Sequence, residues 1–134
     1  IWKHLAKWYG LQETTLGIAS VTELIVNNGQ IAETLEHYLL NKGLTEKIKK
    51  SLQSLEYWMK EHLVLTKNLL PHNLVLKEDK DELVIKIVDG LGCHSFIPLP
   101  QNFNIFAKLY VNKRIKLMWQ RINWDLSGRQ GNWK

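Results

Sequence analysis

The stretch Thr66-Lys67-Asn68-Leu69-Leu70-Pro71-His72-Asn73 and, sixteen residues after it, Asp89-Gly90-Leu91-Gly92 decide the fold of this chain. Each stretch borders an apolar run of β type, and each supplies a side-chain oxygen, from Asn73 in the first and Asp89 in the second. Mg²⁺ prefers oxygen ligands, so one amide and one carboxylate are a suitable protein contribution to a magnesium site. Taken singly, Asn73 could cap a turn and Asp89-Gly90 could be an ordinary turn. Their pairing at these offsets favours a metal site.

The two stretches have the spacing of the H-R-D-L-x-x-x-N and D-F-G motifs, which hold metal and phosphate in protein-kinase-like folds. Thr66 stands where those motifs have His, and Asn68 where they have the catalytic-loop Asp. An amide cannot take up a proton near neutral pH as a carboxylate does, although it can still orient a hydroxyl. The motifs therefore predict a nucleotide site that has no catalytic base at Asn68.

Three segments carry a resemblance to a known family: 66–76, 87–98 and Lys113-Arg114-Ile115-Lys116-Leu117-Met118-Trp119-Gln120-Arg121-Ile122. On these residues the chain resembles the PhoP regulatory network protein YrbL family, a bacterial group with a protein-kinase-like fold. The resemblance implies a cytoplasmic protein linked to a magnesium-responsive regulatory network. It also implies an α+β fold, mostly helical, that corresponds to a kinase large lobe with a short β-hairpin from the small lobe.

The resemblance further implies a division of the chain. Residues 1–26 would be the last small-lobe strands and the hinge, and residues 27–134 a portion of the large lobe. Within Val21-Thr22-Glu23-Leu24-Ile25, which resembles the hinge, the backbone of Glu23, Leu24 and Ile25 would face an adenine ring. Mg²⁺ and ATP would then be ligands of a full-length chain.

Several parts of a complete kinase site are missing from this sequence. The glycine-rich loop, the strand lysine and the helix glutamate that pairs with it would all precede Ile1. The start at Ile1 rather than Met suggests a fragment. By itself, the chain is expected to bind no cofactor and not to be an active kinase.

The composition allows one domain or part of one. With 134 residues, of which 45% are hydrophobic and 10% aromatic, the chain can form a core, which excludes global disorder. No apolar run approaches the roughly 18 residues of a membrane span, and no secretory leader opens the chain. The single Cys93 excludes an internal disulfide and fits a reducing cytoplasm.

The net charge of +5 is concentrated at the C-terminal end. From Lys108 to Lys134 there are seven basic residues and one acid, Asp125, whereas the first 107 residues carry eleven basic and twelve acidic side chains. Trp119, Trp124 and Trp133 lie among these cations, a combination seen in proteins that bind single-stranded nucleic acid. The helical spacing of the apolar residues favours instead a helix with solvated cations. The sequence also leaves open that this end binds a protein partner or an acidic surface.

Four short runs of β-favouring residues predict strands at 8–10, 17–21, 74–76 and 83–88. The polar segment 12–15 and the charged segment 78–81 would connect them into two hairpins. The run 21–26 ends at Asn27-Asn28-Gly29, which predicts a turn because Asn and Gly accept positive φ.

Apolar residues at helical spacing predict three helices. The apolar stripes of the first two are Ile31, Leu35, Tyr38 and Leu39, followed by Ile48, Leu52, Leu55, Met59 and Leu63. Gly43 would end the first helix and Thr45 would cap the second. The third is predicted over about 103–123, with Ile115, Met118, Trp119 and Ile122 as its apolar face. The last segment, 127–132, is expected to fray.

Other reactive side chains favour no site. His62 and His72 are ten residues apart, which is not a metal-ligand spacing. Cys93 and His94 are adjacent, so they would point to opposite sides of an extended segment, and no third orienting group is evident. The sequence therefore predicts a YrbL-like regulatory protein with a degenerate kinase-like site. The alternative is a non-catalytic module that binds a protein partner through its basic C-terminal helix.

Overall fold

The computed structural model describes residues 2–91 and 103–134, and these residues form an α+β fold. The described residues contain three α-helices and three two-stranded antiparallel sheets. Along the chain, two hairpins are followed by two helices, then by the third hairpin and the third helix. In chain order the elements are β1 (Trp8–Thr14), β2 (Gly17–Thr22), β3 (Val26–Asn27), β4 (Gln30–Ile31), α1 (Leu35–Lys42), α2 (Glu46–His62), β5 (Leu74–Asp79), β6 (Glu82–Ile87) and α3 (Phe103–Leu126). Single turns of 3-10 helix lie at Trp2–His4 and Pro71–Asn73. None of the described helices combines the length and the apolarity needed to span a bilayer.

The main core lies between the three helices and one face of the β5–β6 hairpin. Alternate residues of the hairpin point into it because side chains on a strand alternate between its two faces. The fully buried core side chains include Leu35, Ile48, Leu52, Leu55, Met59, Leu74, Ile85, Met118 and Ile122. The second and third apolar stripes seen in the sequence therefore form the centre of the fold.

The β5–β6 hairpin is longer than the sequence predicted. Asp79 pairs with Glu82, so only Lys80 and Asp81 form the turn, and the prediction of a turn over 78–81 is wrong. Lys80 has a φ of 54°, the left-handed conformation that a two-residue hairpin turn requires. The second face of the hairpin is mostly polar and does not contact the helical core.

The first helix begins later than predicted. The Thr34 hydroxyl accepts a hydrogen bond of 3.1 Å from the His37 N–H, which caps the helix before Leu35. Ile31 lies instead in β4, where it pairs with Val26 across the Asn28-Gly29 turn and is 73% exposed. Its inclusion in the apolar stripe of the helix is therefore wrong.

The second helix follows the prediction closely. Thr45 caps it, accepting a hydrogen bond from the Ile48 N–H. Leu63 is not part of the stripe, because it takes the left-handed conformation, with φ of 49°, that ends the helix. Trp58, which the stripe omitted, is buried, and its ring lies 5.3 Å from that of His4.

The predicted hairpin at the start of the chain is present, but its connector is much shorter than the polar segment 12–15. Strands β1 and β2 extend inward until only Thr15 and Leu16 form the turn. Most side chains on both strands are exposed, including Leu11 at 68% and Ile18 at 73%. This hairpin contributes nothing to the main core.

The third helix is confirmed, and it ends at Leu126 rather than at 123. The residues after it do not fray as predicted. The Trp124 Nε1–H donates to the Gly131 carbonyl at 2.8 Å, and Arg129 Nη2 lies 3.1 Å from the Glu36 carboxylate on α1. The adjacent pair Cys93 and His94 lies outside the described residues.

Candidate functional site

The two loop segments singled out in the sequence contact each other directly. Thr66 and Leu91 form an antiparallel bridge, and the Gly90 carbonyl accepts from the Thr66 hydroxyl at 2.9 Å and from the Lys67 N–H at 2.5 Å. Gly90 has a φ of +81°, and a Cβ placed on it would lie 3.3 Å from the Asn68 Cβ. Glycine is therefore required here both for the backbone conformation and for the close approach to Asn68.

The Asn73 side chain is held in a defined orientation. Its Nδ2 donates to the Asn68 backbone carbonyl at 3.2 Å, and the Asn73 backbone carbonyl accepts from the Val88 N–H at 3.1 Å. The second bond places Asn73 beside the residue that precedes Asp89. With the amide nitrogen engaged, the Asn73 Oδ1 has no hydrogen-bond donor among residues 2–91 and 103–134.

Asp89 lies at the same end of the β5–β6 hairpin as Asn73. Its Oδ1 accepts from the Gly90 N–H at 2.7 Å, and the side chain is exposed. In the part of the chain that the structure describes, no three His, Cys, Asp or Glu side chains form a metal-binding group. A metal held here would take one amide and one carboxylate oxygen from the protein, which fits Mg²⁺ because this ion usually keeps several waters and substrate oxygens.

The hinge-like segment runs across the hairpin with part of its backbone unused. The Glu23 N–H donates to the Lys7 carbonyl at 2.7 Å, and the Ile25 carbonyl accepts from the Ala32 N–H at 2.9 Å. The Glu23 carbonyl and the Ile25 N–H make no hydrogen bond to any described residue. Leu24, between them, is 65% exposed.

A cleft of about 440 Å³ separates this segment from the polar face of the β5–β6 hairpin. Residues 23–26 line one side, and Lys77, Asp79, Glu82, Val84 and Lys86 line the other. Asn73 and Asp89 do not line the cleft. Val75 and Val88, which are close in sequence to Asn73 and Asp89, pack with Ile25 of the cleft wall in a small apolar cluster.

A buried histidine that the sequence did not single out fixes the N-terminal segment. The His4 Nδ1–H donates to the Ile85 carbonyl at 2.8 Å, so Nε2 is the acceptor and receives the Ser54 hydroxyl at 3.2 Å. Lys3 donates to the same hydroxyl at 3.1 Å. Burial lowers the pKa of His4 below its ordinary value of 6.5, and the positive charges of Lys3 and Lys86 lower it further against the raising effect of the Ile85 carbonyl.

Four charged side chains join α1 to the end of α3. Glu36 Oε2 lies 2.9 Å from Arg121 Nη2 and 3.1 Å from Arg129 Nη2. Asp125 Oδ1 lies 3.4 Å from Arg121 Nε and 3.0 Å from Arg129 Nε, with 2% of the residue exposed. We call this group the Glu36 cluster. His72 Nδ1 is 4.0 Å from the same Glu36 oxygen, so the cluster adjoins the 66–73 loop.

The tryptophans of the basic end contact charged side chains of the protein itself. The Arg121 guanidinium lies 4.9 Å from the Trp124 ring and 5.4 Å from the Trp133 ring. The Trp119 Nε1–H donates to the Glu56 carboxylate across the α2–α3 contact, and this side chain is half-buried. These three rings therefore have roles inside the fold that do not require a bound base.

The model of the family described as PhoP regulatory network protein YrbL matches residues 1–126. This chain belongs to that family. The match covers all three segments that carried the resemblance in the sequence, and residues 127–134 lie beyond it. The YrbL family is thereby confirmed, and its description is consistent with a regulatory role. A comparison with curated proteins gave no significant match.

Proposed function

We propose that this YrbL-family chain forms part of a degenerate nucleotide site. In the full-length protein this site binds Mg²⁺–ATP and transfers the phosphoryl group weakly or not at all. The observation that supports this most is the direct contact of the 66–73 loop with Gly90, together with the fixed Asn73 amide. In this proposal residues 27–134 are part of a kinase-like large lobe, and residues 1–26 are the last small-lobe strands and the hinge.

The proposed metal ligands are Asn73 Oδ1 and the Asp89 carboxylate. The hydrogen bond from Asn73 Nδ2 to the Asn68 carbonyl leaves the amide oxygen without a donor among the described residues. Phosphate oxygens and water would complete the coordination of Mg²⁺. Because the protein supplies only two metal ligands, the affinity of the site for Mg²⁺ depends on a bound nucleotide.

The proposed adenine contacts are the Glu23 carbonyl and the Ile25 N–H. They supply one acceptor and one donor two residues apart, and neither makes a hydrogen bond to a described residue. An adenine edge carries an amino donor beside a ring-nitrogen acceptor, so it can satisfy both groups at once. The cleft of about 440 Å³ beside residues 23–26 is of the size that small-molecule sites have.

Asn68 limits the chemistry of the proposed site. It lies against Gly90, where a catalytic-loop carboxylate would stand in an active kinase-like site. A carboxamide accepts a hydrogen bond but does not take the proton of an attacking hydroxyl near neutral pH. Nucleotide binding with little transfer is the expected result.

Isothermal titration of the full-length protein with Mg²⁺–ATP tests the proposal. Asp89→Ala is expected to weaken binding at least about tenfold, since it removes a charge-assisted metal contact. Asp81→Ala, at the far turn of the same hairpin, removes the same charge and serves as the control. Absence of binding in the wild type, or equal binding by both variants, would contradict the proposed function.

A second candidate function is the capture of an acidic protein partner in the cytoplasm by α3. Lys108, Lys113 and Lys116 are exposed on this helix, and none has an ion-pair partner among the described residues. Clustered cations of this kind attract acidic surfaces. This function predicts that Mg²⁺–ATP does not change the stability of the protein and that partner binding weakens steeply with salt.

A further inference from the structure

Arg114 on α3 is a half-buried cation that has no counter-ion. All thirteen acidic side chains of the chain lie in the described residues, and none is within ion-pair distance of Arg114. The two other arginines of this helix and its tail, Arg121 and Arg129, each contact both Glu36 and Asp125. Leaving a partly buried charge without a partner is unfavourable, so this position differs from the structural ion pairs.

The Arg114 side chain is held beside the 66–73 loop by Tyr110. Its Nη2 donates to the Tyr110 hydroxyl at 2.9 Å, and the guanidinium lies 4.9 Å from the centre of the Tyr110 ring. The same hydroxyl donates to the Thr66 carbonyl at 3.2 Å. The Arg114 Nε–H is buried and has no acceptor among the described residues. The guanidinium is therefore positioned by the protein and only partly satisfied by it.

Arg114 faces a small recess next to Asn68. The recess has a volume of about 60 Å³ and is lined by Asn68, Leu69, Leu70, Arg114, Leu117, Trp133 and Lys134. Two cations line it and no acidic residue does. Its volume is about that of two water molecules in the liquid, enough for one compact polar group.

We propose that this recess is an oxyanion site that binds a phosphate group, with Arg114 and Lys134 as its cationic ligands. A guanidinium presents its N–H groups in a fork that matches phosphate oxygens, and charge-assisted bonds of this type are strong. The Asn68 amide adds a neutral donor at the same recess. The anion also supplies the counter-ion that the protein itself does not give Arg114.

The phosphate group has two possible sources, the nucleotide or a second ligand that lies beside it. Because the recess adjoins Asn68, the identity of its natural ligand rests on the proposed nucleotide site. Binding of the anion itself depends only on Arg114, Lys134 and the recess. The two proposals can therefore fail separately.

Titration of the full-length protein with inorganic phosphate, at constant ionic strength in chloride, tests the site by calorimetry and by the shift in melting temperature. Saturable binding is expected, and Arg114→Gln should weaken it at least about tenfold. Lys113→Gln is the matched control, because it removes one charge from the exposed neighbouring position. No saturable binding, or equal losses in both variants, would overturn the proposal.

Three further measurements test the site independently of the stability of Arg114→Gln. Lys134→Gln changes an exposed residue, so it tests the recess even where Arg114→Gln lowers stability, and unchanged phosphate binding in this variant would count against the site.

Asp89→Ala should leave phosphate binding intact. With both ligands present, displacement of phosphate by Mg²⁺–ATP assigns the anion to the nucleotide, and simultaneous binding assigns it to a second ligand. Phosphate binding without any Mg²⁺–ATP binding would refute the proposed function and leave the oxyanion site standing.

Discussion

At the scale of single residues, His4 shows how one buried side chain fixes a segment. A chain of donors runs from Lys3 through the Ser54 hydroxyl and His4 to the Ile85 carbonyl. A second proton on His4 would turn the Nε2 acceptor into a donor that faces the Ser54 hydroxyl, in a neighbourhood that is already positive. The neutral imidazole is therefore part of the folded structure.

The stability of the protein should decrease in acid because of His4. The unfolded chain binds a proton at this residue below about pH 6.5, whereas the folded chain, with a lowered pKa, does not until a lower pH. The stabilising contribution is thus present above pH 6.5 and is lost as the pH falls below it, by at most about 1.4 kcal/mol per pH unit. Urea unfolding at a series of pH values measures this slope.

A variant separates His4 from the other titrating groups. His4→Asn retains a donor for the Ile85 carbonyl and should flatten the pH dependence between pH 7.5 and 5, at some cost in stability. His72→Gln, at an exposed position 4.0 Å from Glu36, is the control and should leave the slope largely unchanged. An identical slope in His4→Asn and the wild type would contradict the assignment.

At the scale of elements, the two hairpins differ in what supports them. One face of β5–β6 packs into the main core, and the Asn27 side chain bonds the edge of β5 through the Leu76 carbonyl and the Glu78 N–H. Hairpin β1–β2 is exposed on both faces. A two-stranded hairpin without such packing is only marginally stable in water.

Hydrogen exchange should reveal this difference. In the 134-residue chain, the amides of β1 and β2 are expected to exchange about a hundredfold faster than those of α2 and β6, because they open without disturbing the core. Amide exchange followed by mass spectrometry or NMR gives both rates from one sample, with α2 as the internal reference. Equal protection of β1–β2 and α2 would show that the hairpin is part of the cooperative unit.

At the scale of the whole molecule, the Glu36 cluster connects α1, the end of α3 and the tail. Its two acids and two arginines come from positions up to 93 residues apart, Glu36 and Arg129 being the most distant. Asp125 is almost fully buried, and its Oδ2 has no hydrogen-bond partner in the described residues. Removing one member leaves like charges facing each other.

Asp125→Ala is expected to lower the free energy of unfolding by about 2–4 kcal/mol, because it leaves Arg121 with a single acidic partner in a mostly buried site. This value is below that of a fully buried pair, since Arg129 is partly exposed and solvent screens it. Urea denaturation measures the change. Glu61→Gln, on the exposed side of α2, is the control and should change stability by less than about 0.5 kcal/mol. A loss in Asp125→Ala as small as in the control would mean that the tail is not anchored there.

Much of the fold could be predicted because local patterns specify it. The stripe from Ile48 to Met59, the cap at Thr45 and the two hairpins follow from periodicity and from capping chemistry, which act within a few residues. The errors lie where local signals compete. Ile31 fits a helical stripe, yet the cap at Thr34 starts the helix after it, and the tail looked frayed because its anchor, Glu36, is distant in sequence.

The sequence by itself determined the α+β class, the family, and the two loops that contain Asn73 and Asp89, because motif spacing and hydrophobic period are properties of neighbouring residues. The tertiary structure alone decided how these parts meet. It brought Gly90 against Asn68, gave Asn73 its orientation and left Arg114 without an acid beside the same loop. The contacts of Gly90 with Asn68 and Thr66 join residues more than 20 positions apart, and their geometry follows from how helices and hairpins pack in the core, which no local pattern encodes.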